Sequence, residues 1–143
     1  MNRMNIRFID ASAILYAVIE PQKPLSEQVM EIKSNTKNIL KRINEGEQVI
    51  TSVVHLSEVS NILEARKSFS EVAKFITDFM MKDSIQILDA VADDYRTAAI
   101  LAKRYEVGVN DTLAKLLMDR NDIDEIYSFD KHFDNLQIKR ITK

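Results

Sequence analysis

The sequence predicts an α/β protein whose mainly parallel sheet is covered by helices on both faces. Short apolar segments typical of strands alternate with longer segments of helical periodicity, which is the pattern of strand–helix–strand units. Only two glycines occur, and both prolines fall in one loop segment, Glu20–Pro24, so the chain has few breaks. The 143 residues suit one domain of ordinary size, and we expect a single domain over residues 1–143.

The elements of the first half follow in order. A short apolar strand over Ile6–Asp10 precedes a helix over Ser12–Glu20, for which Ser12 is a suitable N-cap. After the proline-containing loop, a long helix runs over Ser26–Glu45 and ends at Gly46. The second strand and the next two helices are Gln48–Thr51, Val53–Lys67 and Ser70–Lys82.

The second half continues the alternation. Ile85–Leu88 is the third strand and Val91–Tyr105 is the helix that follows it. Gly108 then breaks the chain before a helix over Thr112–Asn121. The fourth and fifth strands are Glu125–Phe129 and Gln137–Ile141.

Composition excludes several chemistries. There are no cysteines, so disulfides, thiolate nucleophiles and cysteine zinc sites are absent. The two histidines are too far apart for a zinc-binding helix motif, and no glycine-rich phosphate loop is present. With a net charge of −2, the chain has no overall basic field for nucleic acid. The longest apolar run, Ala11–Ile19, is about half a membrane span, so no membrane association is expected.

Two acidic residues stand at the carboxyl ends of predicted strands. Asp10 closes the first strand and Asp130 closes the fourth. Open parallel sheets bind ligands at this edge, so both carboxylates are expected at one site. Asp is also a common turn residue after any strand, which is the alternative explanation for either residue alone.

Glu58 and Asp111 are expected at the same edge for different reasons. On a helical projection Glu58 falls inside the apolar arc of its helix, where an unpaired carboxylate is costly; a rim position is the alternative. Asp111 opens the helix that leads to the fourth strand, so it begins at the carboxyl edge of the sheet. A capping or first-turn acid is the alternative for Asp111.

Four acids at one edge would repel one another strongly unless they bind a proton or a cation. Sites built from carboxylates and water suit Mg²⁺ or Mn²⁺, which activate water and stabilise phosphodiester oxygens during hydrolysis. The candidate catalytic and metal-binding residues are therefore Asp10, Glu58, Asp111 and Asp130, with Mg²⁺ or Mn²⁺ as cofactor.

Four segments carry a family resemblance, and they occur in the order IRFIDASAIL, TSVVHLSEVSNIL, VGVNDTLAKLL and EIYSFDKHF. Together they resemble the PIN-domain ribonucleases from about Ile6 to Ile141. The resemblance implies a three-layer α/β/α fold and a metal-dependent endoribonuclease, commonly a VapC-like toxin that is paired with an antitoxin. Its RNA cleavage would leave a 5′-phosphate and a 3′-hydroxyl.

Residue by residue, the resemblance implies roles for five side chains. The metal would be held mainly by Asp10 and Asp111, with Glu58 and Asp130 completing the sphere through water or holding a second ion. Ser12, two residues after the first acid, would contact the metal site or its water.

At position 132 the chain departs from the family's pattern, because many members carry Asp-Phe where this chain has His132-Phe133. We therefore assign no fifth acid there and interpret His132 as a surface histidine, with contact to RNA as the alternative. Asp134 lies nearby but does not match the motif.

The expected partners are an RNA substrate, an antitoxin that covers the acidic cleft, and a second copy of the chain. The expected location of the protein is the cytoplasm. The helix Ser70–Lys82 predicts a homodimer, because large apolar side chains such as Phe79 and Met81 cover much of its circumference; a deeply packed core helix is the alternative. Two other functions compete with the toxin. One is a PIN-like RNA-processing or regulatory RNA-binding module, and the other is a phosphoacceptor domain that would use Asp89.

Overall fold

The computed structural model describes residues 6–21 and 23–143. The strands are β1 (Arg7–Ile9), β2 (Val49–Ser52), β3 (Ile85–Leu88), β4 (Glu125–Tyr127) and β5 (Lys139–Ile141). The helices are α1 (Ala11–Val18), α2 (Glu27–Asn44), α3 (Val53–Glu64), α4 (Phe69–Met80), α5 (Ala92–Tyr105) and α6 (Val109–Arg120), with a 3-10 helix at Lys131–Leu136. The strands form one parallel sheet in the order β3-β2-β1-β4-β5.

Helices cover both faces of the sheet, which confirms the predicted three-layer α/β/α architecture. Successive strand residues point to opposite faces. Ile9 and Val49 belong to a core shared with α1, α2, α3 and α4. Phe8 and Ile126 belong to a second core shared with α5, α6 and the 3-10 helix. The central strands are therefore apolar on both sides, as a sandwiched parallel sheet requires.

Local capping signals account for the ends of the longer helices. The Ser26 hydroxyl accepts a hydrogen bond from the Val29 N–H at 3.2 Å and caps α2. Gly46, which follows that helix, has a φ of +119°, a backbone conformation that residues with a side chain rarely adopt. Ser68 and Glu71 form a reciprocal capping box at the start of α4.

Most element boundaries differ from the predicted ones by one to three residues, and three of these differences concern a candidate site residue. α1 begins at Ala11, so Asp10 rather than Ser12 occupies the N-cap position. α6 begins at Val109, so Asp111 lies in its first turn and does not open the helix. β4 ends at Tyr127, so Asp130 does not close the strand but caps the 3-10 helix, an element that the prediction missed.

The early end of β4 has a physical cause. The Phe129 N–H donates to the Ser12 hydroxyl at 3.1 Å, and the Asp130 N–H donates to the Ser128 hydroxyl at 3.0 Å. Because side chains take these backbone donors, they are not available to a neighbouring strand.

The side chains that surround the buried Tyr127 join β1, β4 and the end of α2 on one face of the sheet. Arg7 donates through Nε to Glu125 at 2.9 Å and through Nη1 to the Tyr127 hydroxyl at 2.9 Å. Arg42 donates through Nε to Glu47 at 3.2 Å, and the Tyr127 hydroxyl donates to Glu47 at 2.5 Å. This group, called the Tyr127 network below, starts at the amino ends of β1 and β4.

The predicted loop over residues 20–24 contains neither helix nor strand where it is described; Gln22 lies outside the described residues. Throughout residues 6–21 and 23–143, every helix is too short or too polar to cross a membrane.

Candidate active site

The strand order reverses beside β1, because β2 and β3 lie on one side of it and β4 and β5 on the other. Such a reversal opens a crevice at the carboxyl ends of the strands, where parallel sheets bind ligands. An open cleft with a volume of about 480 Å³ occupies this edge. The structure brings all the predicted site residues to the cleft, namely Asp10, Ser12, Glu58, Asp111 and Asp130.

Asp10 is buried at the floor of the cleft and is held by two hydroxyl groups. Its Oδ2 accepts hydrogen bonds from Ser12 Oγ at 3.0 Å and from Ser128 Oγ at 2.8 Å. The same two hydroxyls accept the backbone N–H groups that follow β4, as described above. The carboxylate is therefore fixed between the ends of β1 and β4, and Ser12 contacts it directly.

Asp111 projects from the first turn of α6 into the cleft, and its side chain is 13% exposed. A Cβ at Gly108 would lie 3.2 Å from Asp111 Oδ2, so glycine allows the carboxylate this close approach. Burial, then the negative charges of Asp130 and Asp10 and a hydrogen bond with Asp130, raise the pKa of the Asp111 carboxyl to about 7, and His132 opposes the rise.

Asp130 and His132 face Asp111 from the 3-10 helix. Asp130 Oδ1 accepts the His132 N–H at 2.9 Å and lies 3.2 Å from His132 Nδ1, which is 3.8 Å from Asp111 Oδ2. Donor atoms of these three side chains all lie within 4.8 Å of one another. Their donor chemistry and spacing fit a divalent cation. His132 is exposed, as the sequence predicts, and it also borders the acidic site.

Asp134, the other acid near this motif, is not part of the cluster. Its carboxylate binds the Arg140 guanidinium through two hydrogen bonds, at 2.9 and 3.2 Å. The Arg140 side chain therefore holds the pKa of Asp134 below its ordinary value.

Glu58 lies on α3 on the opposite wall of the cleft and is half-buried, whereas Glu64 on the same helix is exposed. Glu58 Oε1 accepts a hydrogen bond from Asn110 Nδ2 at 3.0 Å. This amide partner explains how a carboxylate lies on the inner side of the helix.

Asn110 joins Glu58 to two further groups that the sequence interpretation missed. Its Oδ1 accepts from the Tyr95 hydroxyl at 3.0 Å, and its backbone carbonyl accepts from His55 Nε2 at 3.0 Å. Burial lowers the pKa of His55, against the opposing influence of Asp10, so the ring is neutral. The neutral ring then accepts the Ser52 hydroxyl at Nδ1, at 2.6 Å. The one signal available in the sequence was the position of Asn110 directly before Asp111.

This cleft, lined by carboxylates at the reversal point of a parallel sheet, defines a candidate metal-dependent site. The sequence profile of the PIN domain matches residues 7–139, and the chain therefore belongs to the PIN-domain family. Family membership removes the phosphoacceptor alternative. No curated protein sequence matches the chain.

Solved structures that share the fold include a VapC protein and a VapBC complex. Mycobacterium tuberculosis VapC20, described as a sarcin-ricin loop cleaving toxin, superposes with a TM-score of 0.73 at 17% identity, covering 96% of this chain and 99% of its own. VapBC2 from Rickettsia felis, bound to a DNA fragment from its promoter, gives a TM-score of 0.64 at 13% identity, covering 95% and 97%. At these identities the likeness extends to the fold alone.

We expect Asp111→Asn to stabilise the metal-free protein above pH 7. The Asp111 carboxyl group loses its proton near pH 3.8 in the unfolded chain but only near pH 7 in the folded chain. The free energy of unfolding of the wild type therefore falls as the pH rises between these values. Asn still suits the first turn, although it gives up a few tenths to about 1 kcal/mol of helix-dipole interaction. The net gain, on the order of 1 kcal/mol, is measured by urea unfolding in EDTA from pH 4 to pH 8.

The matched control is Asp93→Asn, an exposed first-turn acid of α5 outside the cleft. It should bring no gain in stability at any pH. Mn²⁺ should stabilise the wild type and the control by mass action but not Asp111→Asn. A destabilised Asp111→Asn variant that Mn²⁺ still stabilises as it does the wild type would show that Asp111 is only a first-turn acid.

We also expect Asn110 and Glu58 to be energetically coupled. Asn110→Ala removes the donor to a carboxylate, and Glu58→Ala removes the acceptor, so a double-mutant cycle in urea should give an interaction of about 1–2 kcal/mol. Tyr95→Phe, which removes only the hydroxyl on the other side of the amide, should show a smaller coupling to Glu58→Ala. If the losses of unfolding free energy in Asn110→Ala and Glu58→Ala add up to the loss in the double variant within about 0.5 kcal/mol, the hydrogen bond does not contribute to stability.

Proposed function

We propose that this protein is a divalent-metal-dependent endoribonuclease and the toxin of a type II toxin–antitoxin pair. The observation that carries the proposal is the convergence of Asp10, Glu58, Asp111 and Asp130 on one open cleft at the carboxyl edge of the sheet. Membership of the PIN-domain family and the VapC fold of the structural neighbours support it.

The resemblance implied Asp10 and Asp111 as the main metal ligands, but we assign the cation first to Asp111 and Asp130, because their carboxylates belong to a group of donor atoms within 4.8 Å of one another. Asp10 and Glu58 would complete the site directly or through water. A divalent cation held there would supply the Lewis acidity that phosphodiester hydrolysis needs and would offset the repulsion among the acids. Ser12 and Ser128 hold Asp10 in one orientation, and Asn110 does the same for Glu58. The site is thus preorganised by hydrogen bonds from its own chain.

RNA would enter an open cleft whose wall carries an aromatic ring. Tyr95 lines the cleft and is 43% exposed, so its ring is available to stack on an unpaired base. Lys131 is exposed beside Asp130 and can meet a backbone phosphate. Such local contacts suit a chain with a net charge of −2, which cannot rely on a general basic field.

A mainly apolar groove of about 360 Å³ adjoins the cleft and shares Ser12 and Leu15 with it. Tyr16, Ile19 and Val29 line this groove, and Arg66 adds a cationic group. We place the antitoxin here, as an apolar segment that would run from the groove over the acids. A small reading frame for such a protein beside the gene would favour the toxin over an RNA-processing module.

We predict that the wild type cleaves total RNA in Mg²⁺ or Mn²⁺ and leaves 5′-phosphate ends, because the acids would hold the ion that the reaction needs. Excess EDTA should abolish cleavage. Asp10→Ala should lower the rate more than about tenfold, since even outer partners of a metal site matter to that extent. The measurement is the initial rate on a cleaved transcript, with mapping of the cut ends.

The matched control for this assay is Glu64→Ala, an exposed acid on the same helix as Glu58. It should cleave at the wild-type rate. Cleavage in EDTA would rule out the metal mechanism, and an Asp10→Ala rate within about threefold of the wild type would rule out this site.

We further propose a homodimer that forms through α4. Val72 and Phe79 are buried in the core, so part of its apolar character serves packing within the chain. Phe69 and Met81, at either end of the helix, are 75% and 76% exposed and would be covered by a partner copy. Light scattering at tens of micromolar should give the mass of two chains, and Met81→Lys should reduce it. A monomer under these conditions would exclude the dimer.

A further inference from the structure

The His132 side chain lies beside two carboxylates of the site, whereas a histidine that is only a surface residue needs neither contact. Its backbone N–H and its Nδ1 both approach Asp130 Oδ1, at 2.9 and 3.2 Å, and Nδ1 lies 3.8 Å from Asp111 Oδ2. The ring nitrogen therefore faces both carboxylates that would hold the cation.

The spacing of these atoms suits ligands of one ion. Donors about 2.1–2.2 Å from a small divalent cation lie about 3 Å apart when adjacent and about 4.3 Å apart when opposite. In the structure the donor atoms of Asp111, Asp130 and His132 lie within 4.8 Å of one another, and His132 Nδ1 lies 3.8 Å from Asp111 Oδ2, so closures of less than about 1 Å bring them to these separations. The His132 side chain is 62% exposed and can make this movement without disturbing the core.

We propose that His132 is a nitrogen ligand of the metal site. Imidazole-preferring ions are Co²⁺, Ni²⁺ and Zn²⁺, and the ratio of the affinity for such an ion to the affinity for Mg²⁺ is consequently higher for this chain than for an all-carboxylate site. Oxygen ligands and water suit Mg²⁺, whereas imidazole suits the later transition metals. The inference rests on the proposed function insofar as that function requires a cation between Asp111 and Asp130.

The test compares Co²⁺ and Mg²⁺ binding by calorimetry for the wild type, His132→Ala and His132→Asp. Nearly every protein site binds Co²⁺ more tightly than Mg²⁺, so the informative quantity is the change in the ratio of the two affinities between variants. His132→Ala should weaken Co²⁺ binding at least about tenfold and Mg²⁺ binding much less. His132→Asp should lower the Co²⁺-to-Mg²⁺ ratio about tenfold, because it restores an oxygen donor.

The matched control is Lys131→Gln, the exposed neighbour of His132. It makes the local charge more negative by one unit, as His132→Asp does when the histidine is neutral, but it adds no ligand. Lys131→Gln should strengthen the binding of both ions to a similar extent and leave their ratio unchanged.

A direct signature comes from the imidazole nitrogen resonances of the wild type during titration with Zn²⁺. Nδ1 of His132 should shift as it binds the ion. His55 is the internal reference, because both of its nitrogens already have hydrogen-bond partners within the protein. Its resonances should move far less.

The outcomes separate this inference from the proposed function. An unchanged affinity ratio in both His132 variants, together with an unmoved His132 resonance, would overturn the inference and leave His132 as a charge partner of Asp130. Ligation by His132 without any RNA cleavage would support the inference and overturn the nuclease. A wild type that binds no divalent cation would overturn both.

Discussion

Three carboxyl groups meet at the carboxyl edge of the sheet, and the repulsion among them is the constraint on which the rest of the site depends. Burial, and then the negative charges of Asp130 and Asp10, raise the pKa of Asp111 to about 7. A folded protein retains such a cluster only if protons, hydrogen bonds or a cation compensate the charges. The neighbouring side chains are arranged to supply that compensation.

Three of the four cleft acids, Asp10, Glu58 and Asp130, have compensating partners from different parts of the chain. Asp10 receives two hydroxyl donors, Glu58 receives an amide donor, and Asp130 receives a backbone N–H and faces an imidazole. Asp111 is the exception, since its neighbours raise its pKa more than His132 lowers it. The least compensated carboxyl group therefore lies at the centre of the cluster, where a cation would gain most from binding.

The fold could be predicted further from the sequence than the site could. Alternating periodicities are local signals, and they yielded the order of strands and helices and the parallel sheet. The rule that ligands bind at strand ends brought Asp10 and Asp130 to one edge, although Asp130 lies beyond the end of β4 and not at it. The missed partners act across the chain: Ser128 is 118 residues from Asp10, and Asn110 is 52 residues from Glu58. No periodicity within one segment encodes such contacts between distant residues. The end of β4 also depends on side chains, because the hydroxyls of Ser12 and Ser128 accept the backbone N–H groups that follow the strand.

The Tyr127 network stabilises the sheet through side chains that are not part of the acidic cleft. Its ion pairs are satisfied within the chain and join strands to α2 without any acid of the cleft. Loss of a single cleft acid therefore removes none of these contacts between the strands and α2. The acids of the cleft and the contacts that hold this part of the sheet are accordingly open to separate change in evolution.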